Sequence, residues 1–368
     1  MTFEVFLFII PVLIWIMACK VLFHLNFTWG EVAVQGIATS IVLVVIFAVG
    51  SSMQTSDVMF VNGVVERLDE RKKSCQSGWR RSQDNHCTEY RTRQVKTGRT
   101  CSTSSNGKKT CSNTYATEYK YVYDWEQRFY VYADITSFEV SRVDRQGVTI
   151  PPKFAEISIG TPVADQITYT NYIKGASSSL FNENMEGESV VLAYPSVKNQ
   201  YKSNRVIVSG VKIDSAMWRQ WNDEVMQLNT DIQKTGANAI IVVTGSQKSF
   251  ATMLSRSWDA HNINDVVTVI GMKDNMISWV DVSSWSDTSV VNLEIRDKII
   301  ELNTLDTTAI NTIIHDAIQA GFKLKSMDEF EYLADDIAPP TWVYFLAGLM
   351  LLIITPAITY IFNKYEII

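Results

Sequence analysis

No Gly-x-Ser-x-Gly elbow, phosphate-binding loop or His-Glu-x-x-His run occurs in the 368 residues. Their absence removes the α/β-hydrolase nucleophile, the P-loop and the zincin protease as readings. Histidine is scarce, at four residues. His261 and His315 are candidates for a general acid, but each lies in a polar helix or loop with no nucleophile beside it in sequence, as a surface histidine would. There is also no Cys-x-x-Cys pair. Cys75, Cys87, Cys101 and Cys111 are spaced by 12, 14 and 10 residues, with His86 the one imidazole nearby. Zinc ligands favour separations of two to four residues, so this spacing disfavours a zinc site.

Charge is absent from three long runs. Residues 3–23 are interrupted by charge only at Glu4 and Lys20, residues 32–49 only by the uncharged Gln35, Thr39 and Ser40, and residues 342–362 carry no charge. Each run approaches the roughly 20 apolar residues that span a bilayer. Three membrane helices are therefore expected, at residues 1–25, 31–51 and 341–362. No Lys or Arg precedes the first run and no small-x-small site comes after it, which speaks against a cleaved signal peptide. Lys20 and Lys364 flank the spans on the short-loop side, and the positive-inside bias places that side in the cytoplasm. The expectation is a multi-pass inner-membrane protein with residues 52–339 in the periplasm, in contact with membrane lipid. Cys19, inside the first run, reads as an inert apolar residue. In an oxidising compartment the other four cysteines form two disulfides, with three connectivities open. Asn106-Gly107 is a tight-turn pair with Cys101 and Cys111 on its arms, so a Cys101–Cys111 cross-strand bridge, leaving Cys75 for Cys87, fits the pattern.

Residues 57–205 read as a mostly β domain. Val58, Phe60, Val61, Val64 and Val65 mark a strand with a kink or turn at Asn62-Gly63, and residues 115–142 alternate Tyr, Val and Phe with polar positions. Pro151-Pro152 and Gly160-Thr-Pro162 divide the rest of the domain into short strands, including 166–173 and 189–193. Residues 66–111 carry twelve Lys or Arg against five acids in a chain of net charge −6. Such a cluster suits lipid headgroups, lipopolysaccharide or nucleic acid, or is a solvated, cystine-stapled loop. Within it only Trp79 and Tyr90 are aromatic, so a nucleic-acid partner is not expected.

Residues 206–337 change period. Trp218, Trp221, Val225, Leu228 and Ile232 share one helix face, with Asp214 or Ser215 to cap it and Gly236 to end it. A continuous apolar strand covers 239–244, and Phe250, Leu254 and Trp258 mark a second helix. Strands at 266–271 and 276–282 flank a turn at 272–275. Two more helices carry Val291, Ile295, Ile299, Leu302 and then Ile310 to Ile318. Ser326 to Glu329 opens a short fifth as a capping box. Helices alternating with buried strands define an α/β layered domain.

The helix ending in Lys234-Thr-Gly236, the strand Ile240-Ile-Val-Val-Thr244, Asn264-Asp265 before Val266-Val-Thr-Val-Ile-Gly271, and Lys273-Asp274 before a second strand together resemble a TPM domain over about residues 209–333. That family comprises thylakoid-lumen phosphatase and related extracytoplasmic domains. The remainder loosely resembles membrane proteins of bacteria and phages. The resemblance implies an αβα sandwich, and either acid phosphatase action or a non-enzymatic accessory role. Asp265 stands where the family usually has glycine, and Val282-Ser-Ser-Trp285-Ser-Asp287 replaces its glycine-rich strand end, so bulk obstructs the region a ligand would approach.

The candidate metal ligands are Asp265, Asp274 and Asp281, from a wider set with Asp214 and Asp287. Strand-end carboxylates that converge hold Ca²⁺ or Mg²⁺, whereas scattered ones cap helices and turns. Trp285, between serines, is the candidate contact residue. These features combine into an expectation of a structural or accessory scaffold, membrane-anchored α+β, self-associating and bound to envelope partners, with no obligate cofactor. A metal-dependent phosphatase is the alternative, and a pore-forming subunit is a weaker one because the span centres lack charge.

Overall fold

The computed structural model describes residues 13–22, 29–83, 86–103, 107–176, 192–195, 203–258 and 261–365. The chain is a mixed α+β protein with two disulfides and two helical stretches, Val32–Thr55 and Thr341–Ile361, long and apolar enough to cross a membrane. A shorter apolar helix, α1 (Leu13–Leu22), covers part of the first expected span; residues 1–12 and 23–25 of that span lie outside the described residues.

Helix α2 (Trp29–Thr55) runs without a break into β1 (Ser56–Ser74). At about 3.3 Å per residue this strand reaches roughly 60 Å. It is the mast on which the first sheet beyond the apolar helices is built. Its first half pairs antiparallel with β6 (Pro162–Thr170), from Ser56↔Thr170 to Val64↔Pro162, and its second half with β4 (Trp125–Ala133), ending at Ser74↔Trp125. β5 (Ser137–Val140) completes a sheet of order β5-β4-β1-β6. The expected turn at Asn62-Gly63 is absent: the strand continues through both residues. Gly63 is there because Asp134 and Ile135 press onto its backbone, where a side chain would collide with them.

β2 (Tyr90–Thr103) and β3 (Lys109–Tyr121) form a separate hairpin, with Cys101 directly opposite Cys111. Cys75 is bridged to Cys87 at the hairpin's root. The tip residues 104–106, including the expected turn residue Asn106, lie outside the described residues. Two short helices, α3 (Pro152–Ala155) and α4 (Tyr172–Gly175), flank β6. Of the strand expected at 189–193, only residues 192 and 193 are described, and they are not in a strand.

The second unit has a four-stranded sheet of order β10-β9-β8-β7, built from β7 (Val206–Ser209), β8 (Asn238–Thr244), β9 (Asp265–Lys273) and β10 (Met276–Ser284). β7, β8 and β9 are parallel and β10 is antiparallel. Asp274 and Asn275 sit at φ +52° and +62°, the left-handed pair a two-residue hairpin needs. Alternate residues of β8 serve two cores. Ala239, Ile241 and Val243 pack with α5 (Ser215–Asp231), α7 (Val290–Glu301) and α8 (Thr307–Gly321) through Trp221, Ile295 and Ile314. Ile240 and Val242 pack on the other face with α6 (Ser249–Ser257) through Phe250 and Leu254. Each such aliphatic side chain contributes roughly 1.5–3 kcal/mol by burial. The crossovers through α5 and α6 advance the same way across the sheet but lie on opposite faces, so they have opposite hands, although right-handed connections dominate.

Several polar residues on helices have fixed tasks. Asp214 caps α5, accepting from Ala216 N and Met217 N, and Asp306 caps α8 through Ala309 N. Asn222 Oδ1 accepts from the backbone of Arg205 and Val206, and Trp218 Nε1 donates to Val206 O, which closes part of the open edge of β7. The fifth helix is a 3₁₀ helix (Met327–Asp336) instead of the expected capping-box α-helix. Ser326 Oγ accepts from Asp328 N, one position short of a box.

At the C-terminus, α9 (Thr341–Leu349) and α10 (Thr355–Tyr365) are joined by a π-helical turn at Met350–Ile354. Pro356 explains the turn. It has no N–H to donate, so in π geometry the Leu351 carbonyl loses its partner. Trp15 Nε1 of α1 donates to that carbonyl at 2.6 Å. Gln35 of α2 donates to Thr355 O at 3.0 Å and to Thr359 Oγ1 at 2.8 Å. Where no water competes, such bonds and close backbone approach hold helices together. Gly36 faces α1, where a side chain would meet Leu13, so this small residue serves packing within the chain.

The hairpin has exposed residues along both strands, so its staple is its main support. Closing a loop of about ten residues contributes roughly 3 kcal/mol in the chain-entropy account. Replacing Cys101 and Cys111 by Ser is expected to speed hydrogen exchange across residues 90–121 and leave α5 to α8 unchanged. Alkylation of the unreduced wild type, read by peptide mass spectrometry, should label none of the four clustered cysteines.

Candidate functional site

The polar residues that sequence left without a task converge where β1 meets the second sheet. Asp57, at the foot of β1, accepts from Asn171 Nδ2 at 2.8 Å, Tyr169 OH at 3.2 Å and Lys174 Nζ at 2.9 Å. Tyr169 OH in turn accepts from Ile263 N of the α/β unit at 3.2 Å. Burial, followed by the neighbouring Asp57 charge, raises the Tyr169 hydroxyl well above its usual pKa, so it stays a neutral donor.

Above this knot, Asp265 opens β9 with no exposed surface. Its Oδ2 accepts from Tyr194 OH at 2.6 Å and Asn262 N at 2.9 Å, and its Oδ1 accepts from Asn238 Nδ2 at 2.8 Å. Asn62 of β1 donates to Asn238 Oδ1 at 3.2 Å, and Asn264 Nδ2 donates to Phe60 O at 2.6 Å. The two units are thus joined by side chain to side chain and side chain to backbone. Burial pushes the Asp265 carboxyl above its ordinary pKa, against the pull of His261 and its donors.

Arg205 completes the cluster. It is fully buried, its guanidinium carbon lies 4.1 Å from the Phe60 ring centroid, and its side-chain nitrogens have no hydrogen-bond partner among the described residues. Burial lowers its pKa to about 10, opposed by the fields of Tyr194 and Asp265. It therefore remains a cation at neutral pH, with the Asp265 carboxylate as counter-charge. Tyr194 stacks on Phe60 at 5.8 Å and meets Trp258 edge-on at 5.2 Å.

His261, expected on the surface, is buried and has φ +55°. Its Nδ1 lies 3.1 Å from Asn262 O, which can only accept, so Nδ1 carries the proton. Nε2, 2.7 Å from Ser283 Oγ, is then the acceptor for the serine hydroxyl. Burial lowers the His261 pKa and favours the neutral ring. Chemically this is a base–hydroxyl pair. His315 lies on α8 beside Asp316 at 2.9 Å.

The candidate metal ligands are not brought together. Asp265 begins β9, Asp274 lies in the turn beyond its far end, and Asp281 is on β10 opposite Val269. Nine residue steps along the strand separate the first two, roughly 30 Å. Asp287 comes after β10, its N–H bonded to Lys323 O. Trp285 is half-buried and packs edge-on against Phe330 at 6.4 Å. One close set of ligand-type atoms lies elsewhere among the described residues: the sulfurs of Cys75 and Cys87 and the Glu126 carboxylate, within 4.8 Å of one another. The sulfurs are spent in their disulfide. Burial alone would raise the Glu126 carboxyl, but the N–H groups of Thr88 and Glu89 and the Arg142 guanidinium hold it below its ordinary value. An apolar groove of about 650 Å³ lies along α1 and α2, bounded by Leu13, Met17 and Val44, away from every candidate acid.

The His261–Ser283 pair and the Arg205–Tyr194–Asp265 cluster escape sequence reasoning because their members come from separate segments. The one local signal is the polar run Asn262-Ile-Asn-Asp265 ahead of a buried strand. The chain matches no protein-family model, no curated protein and no solved structure.

Asp265→Asn should cost about 1–3 kcal/mol, since an amide cannot accept from all three donors and leaves a buried polar atom unpaired. Denaturant unfolding followed by tryptophan fluorescence reads this, and Asp265→Ala should cost at least as much. Glu126 generates a pH prediction. Its pKa is depressed in the fold, so its contribution is complete above the unfolded carboxylate value, near 4.3, and is lost as pH falls through the lower folded value. Glu126→Gln should flatten the acid limb of a stability-against-pH curve measured between pH 3 and 7.

Proposed function

We propose that this chain is a membrane-anchored scaffold of the bacterial envelope. Its three apolar helices lie in the inner membrane, and both outer units stand in the periplasm. It has an accessory role, self-associates and engages envelope partners. The α/β unit, a sheet covered by helices on both faces, is on this reading a TPM-type sandwich. The observation that carries the proposal is the use made of Asp265. Asp265, a candidate metal ligand on the phosphatase alternative, is consumed in a buried network that fastens β1 to the second sheet, while Asp274 and Asp281 stand apart from it. The disulfides support an oxidising compartment. The continuous α2–β1 rod supports a rigid display of the outer units above the bilayer.

A hydrolytic second reading, of which a TPM-type phosphatase is one form, is favoured by a specific observation, the 2.7 Å Ser283–His261 pair. The discriminating experiment purifies the full chain in detergent. Its assembly mass is measured, and phosphomonoester turnover is assayed with and without Mg²⁺ and Ca²⁺, for wild type, Asp274→Ala and Ser283→Ala. The expected outcome is a stable multimer with no turnover. Metal-dependent turnover abolished by Asp274→Ala, or metal-independent turnover abolished by Ser283→Ala, would replace the scaffold by an enzyme. Asp265→Ala is unsuited to this comparison because it perturbs the fold itself.

A further inference from the structure

The β2–β3 hairpin is a cationic arm on an acidic protein. Of the chain's 33 Lys and Arg and 39 Asp and Glu, residues 90–121 hold seven cations and the single acid Glu118, which leaves 26 cations against 38 acids elsewhere. Arg93 is engaged by Glu118 and by the Trp79 ring. Arg91, Lys96, Arg99, Lys109 and Lys120 are exposed and make no ion pair among the described residues. The register sets Lys96 across from the exposed Tyr115, and Tyr90 meets Tyr119 edge-on at 5.2 Å.

Location narrows the partner. The arm is rooted where β1 ends, because β3 finishes just before Trp125, the residue paired with Ser74. The foot of β1 joins α2, so roughly 60 Å of strand carries the arm's root away from that helix. On the proposed topology this removes the cations from the headgroups of their own membrane. Acids outnumber cations at the far end of the second sheet, where Asp274, Glu294, Asp297, Glu301 and Asp306 lie among Lys273, Arg296 and Lys298. Asp274, Glu301, Asp306 and Asp297 (paired with Arg296) are exposed near the β9–β10 and α7–α8 turns. Those turns meet at Ile277 N→Asn303 O, the end of the sheet opposite the one that Asn62 and Phe60 of β1 grip. Arm and acidic end therefore both lie away from residues 60–62 of β1, the arm's root along β1 and the acidic end along β9.

We propose that the arm of one copy docks on the acidic sheet end of a second copy, Arg91, Lys96, Arg99 and Lys109 facing Asp274, Asp297, Glu301 and Asp306. Donor and acceptor surfaces differ, so the contact is heterologous and builds rings or rows in the membrane plane. The disulfide holds the arm extended before docking, and exposed charge sets orientation and association rate, both weakened by salt. This inference rests on the self-associating scaffold proposed above and supplies its interface.

The test uses the full chain in detergent, with assembly followed by mass photometry at 50 and 500 mM NaCl. Arg91→Glu, Lys96→Glu, Arg99→Glu and Lys109→Glu together should weaken assembly at least about tenfold, as high salt should for the wild type. The acidic-end variant Asp297→Lys with Glu301→Lys should do the same, and mixing the two variants should restore association between unlike chains. Blocked thiols in the arm variant show that the hairpin is intact. A wild-type multimer indifferent to both variants, or a mixture that does not reassociate, overturns the arm contact alone. A wild-type monomer overturns self-association and this contact together. If the arm variant assembles normally but no longer binds phosphatidylglycerol vesicles, the arm is a lipid-docking element and the proposal fails.

Discussion

The joining of the two folded units depends on one buried carboxylate and the donors that converge on it. Asp265 lies between Tyr194, Asn238 and the Asn262 backbone, and Asn238 passes the connection to Asn62 on β1. A charge with no exposed surface is tolerated only when its lone pairs are used and a counter-charge shares its field. Here three donors and the Arg205 cation meet that demand. Because the donors come from the segment around Tyr194, from β8 and from the turn before β9, and Asn62 of β1 is bonded to Asn238, satisfying Asp265 also fixes how these parts are placed. Apolar contact alone would allow them to slide; directed bonds do not.

The same rule of satisfying every polar group shapes the apolar helices. Pro356 deprives the last helix of an N–H, and a π turn absorbs the steric conflict but leaves a carbonyl unpaired. Trp15 takes that carbonyl, and Gln35 engages Thr355 and Thr359. A helical defect in one apolar helix thereby becomes the attachment point for another. The joint formed by α2 and β1 then transmits that packing to the first sheet, since no loop intervenes between helix and strand.

The hairpin is stabilised by different means. It has little core, and a two-stranded ribbon is marginal in water. A cross-strand disulfide supplies the order that burial cannot. What it displays is charge: cations along both strands, with aromatic residues brought opposite them by the register. Lys96 and Tyr115 are neighbours only because β2 and β3 pair with a shift between Lys96 and Gly98. Sequence inspection of residues 66–111 therefore finds cations with few aromatics, and the aromatic half of the surface lies in the returning strand.

Local chemistry was legible in the chain. Periodicity located α5 to α8, the apolar run at 239–244 announced a buried strand, Asp214 or Ser215 was readable as a cap, and an even cysteine cluster around Asn106-Gly107 announced two disulfides. Each of these depends on neighbours within about ten residues, so the pattern itself carries the cause. Three features required the tertiary structure. Asn62-Gly63 looks like a turn, but β1 runs through it because Asp134 and Ile135 close over Gly63. Asp265, Asp274 and Asp281 look like a ligand set, but strand direction sends the first two to opposite ends of β9. His261 looks exposed, yet the sheet places it against Ser283 and buries it. In every case the deciding partner lies twenty or more residues away or across the sheet, or strand geometry sets the separation. Composition and spacing contain neither the distance nor the direction that make such contacts.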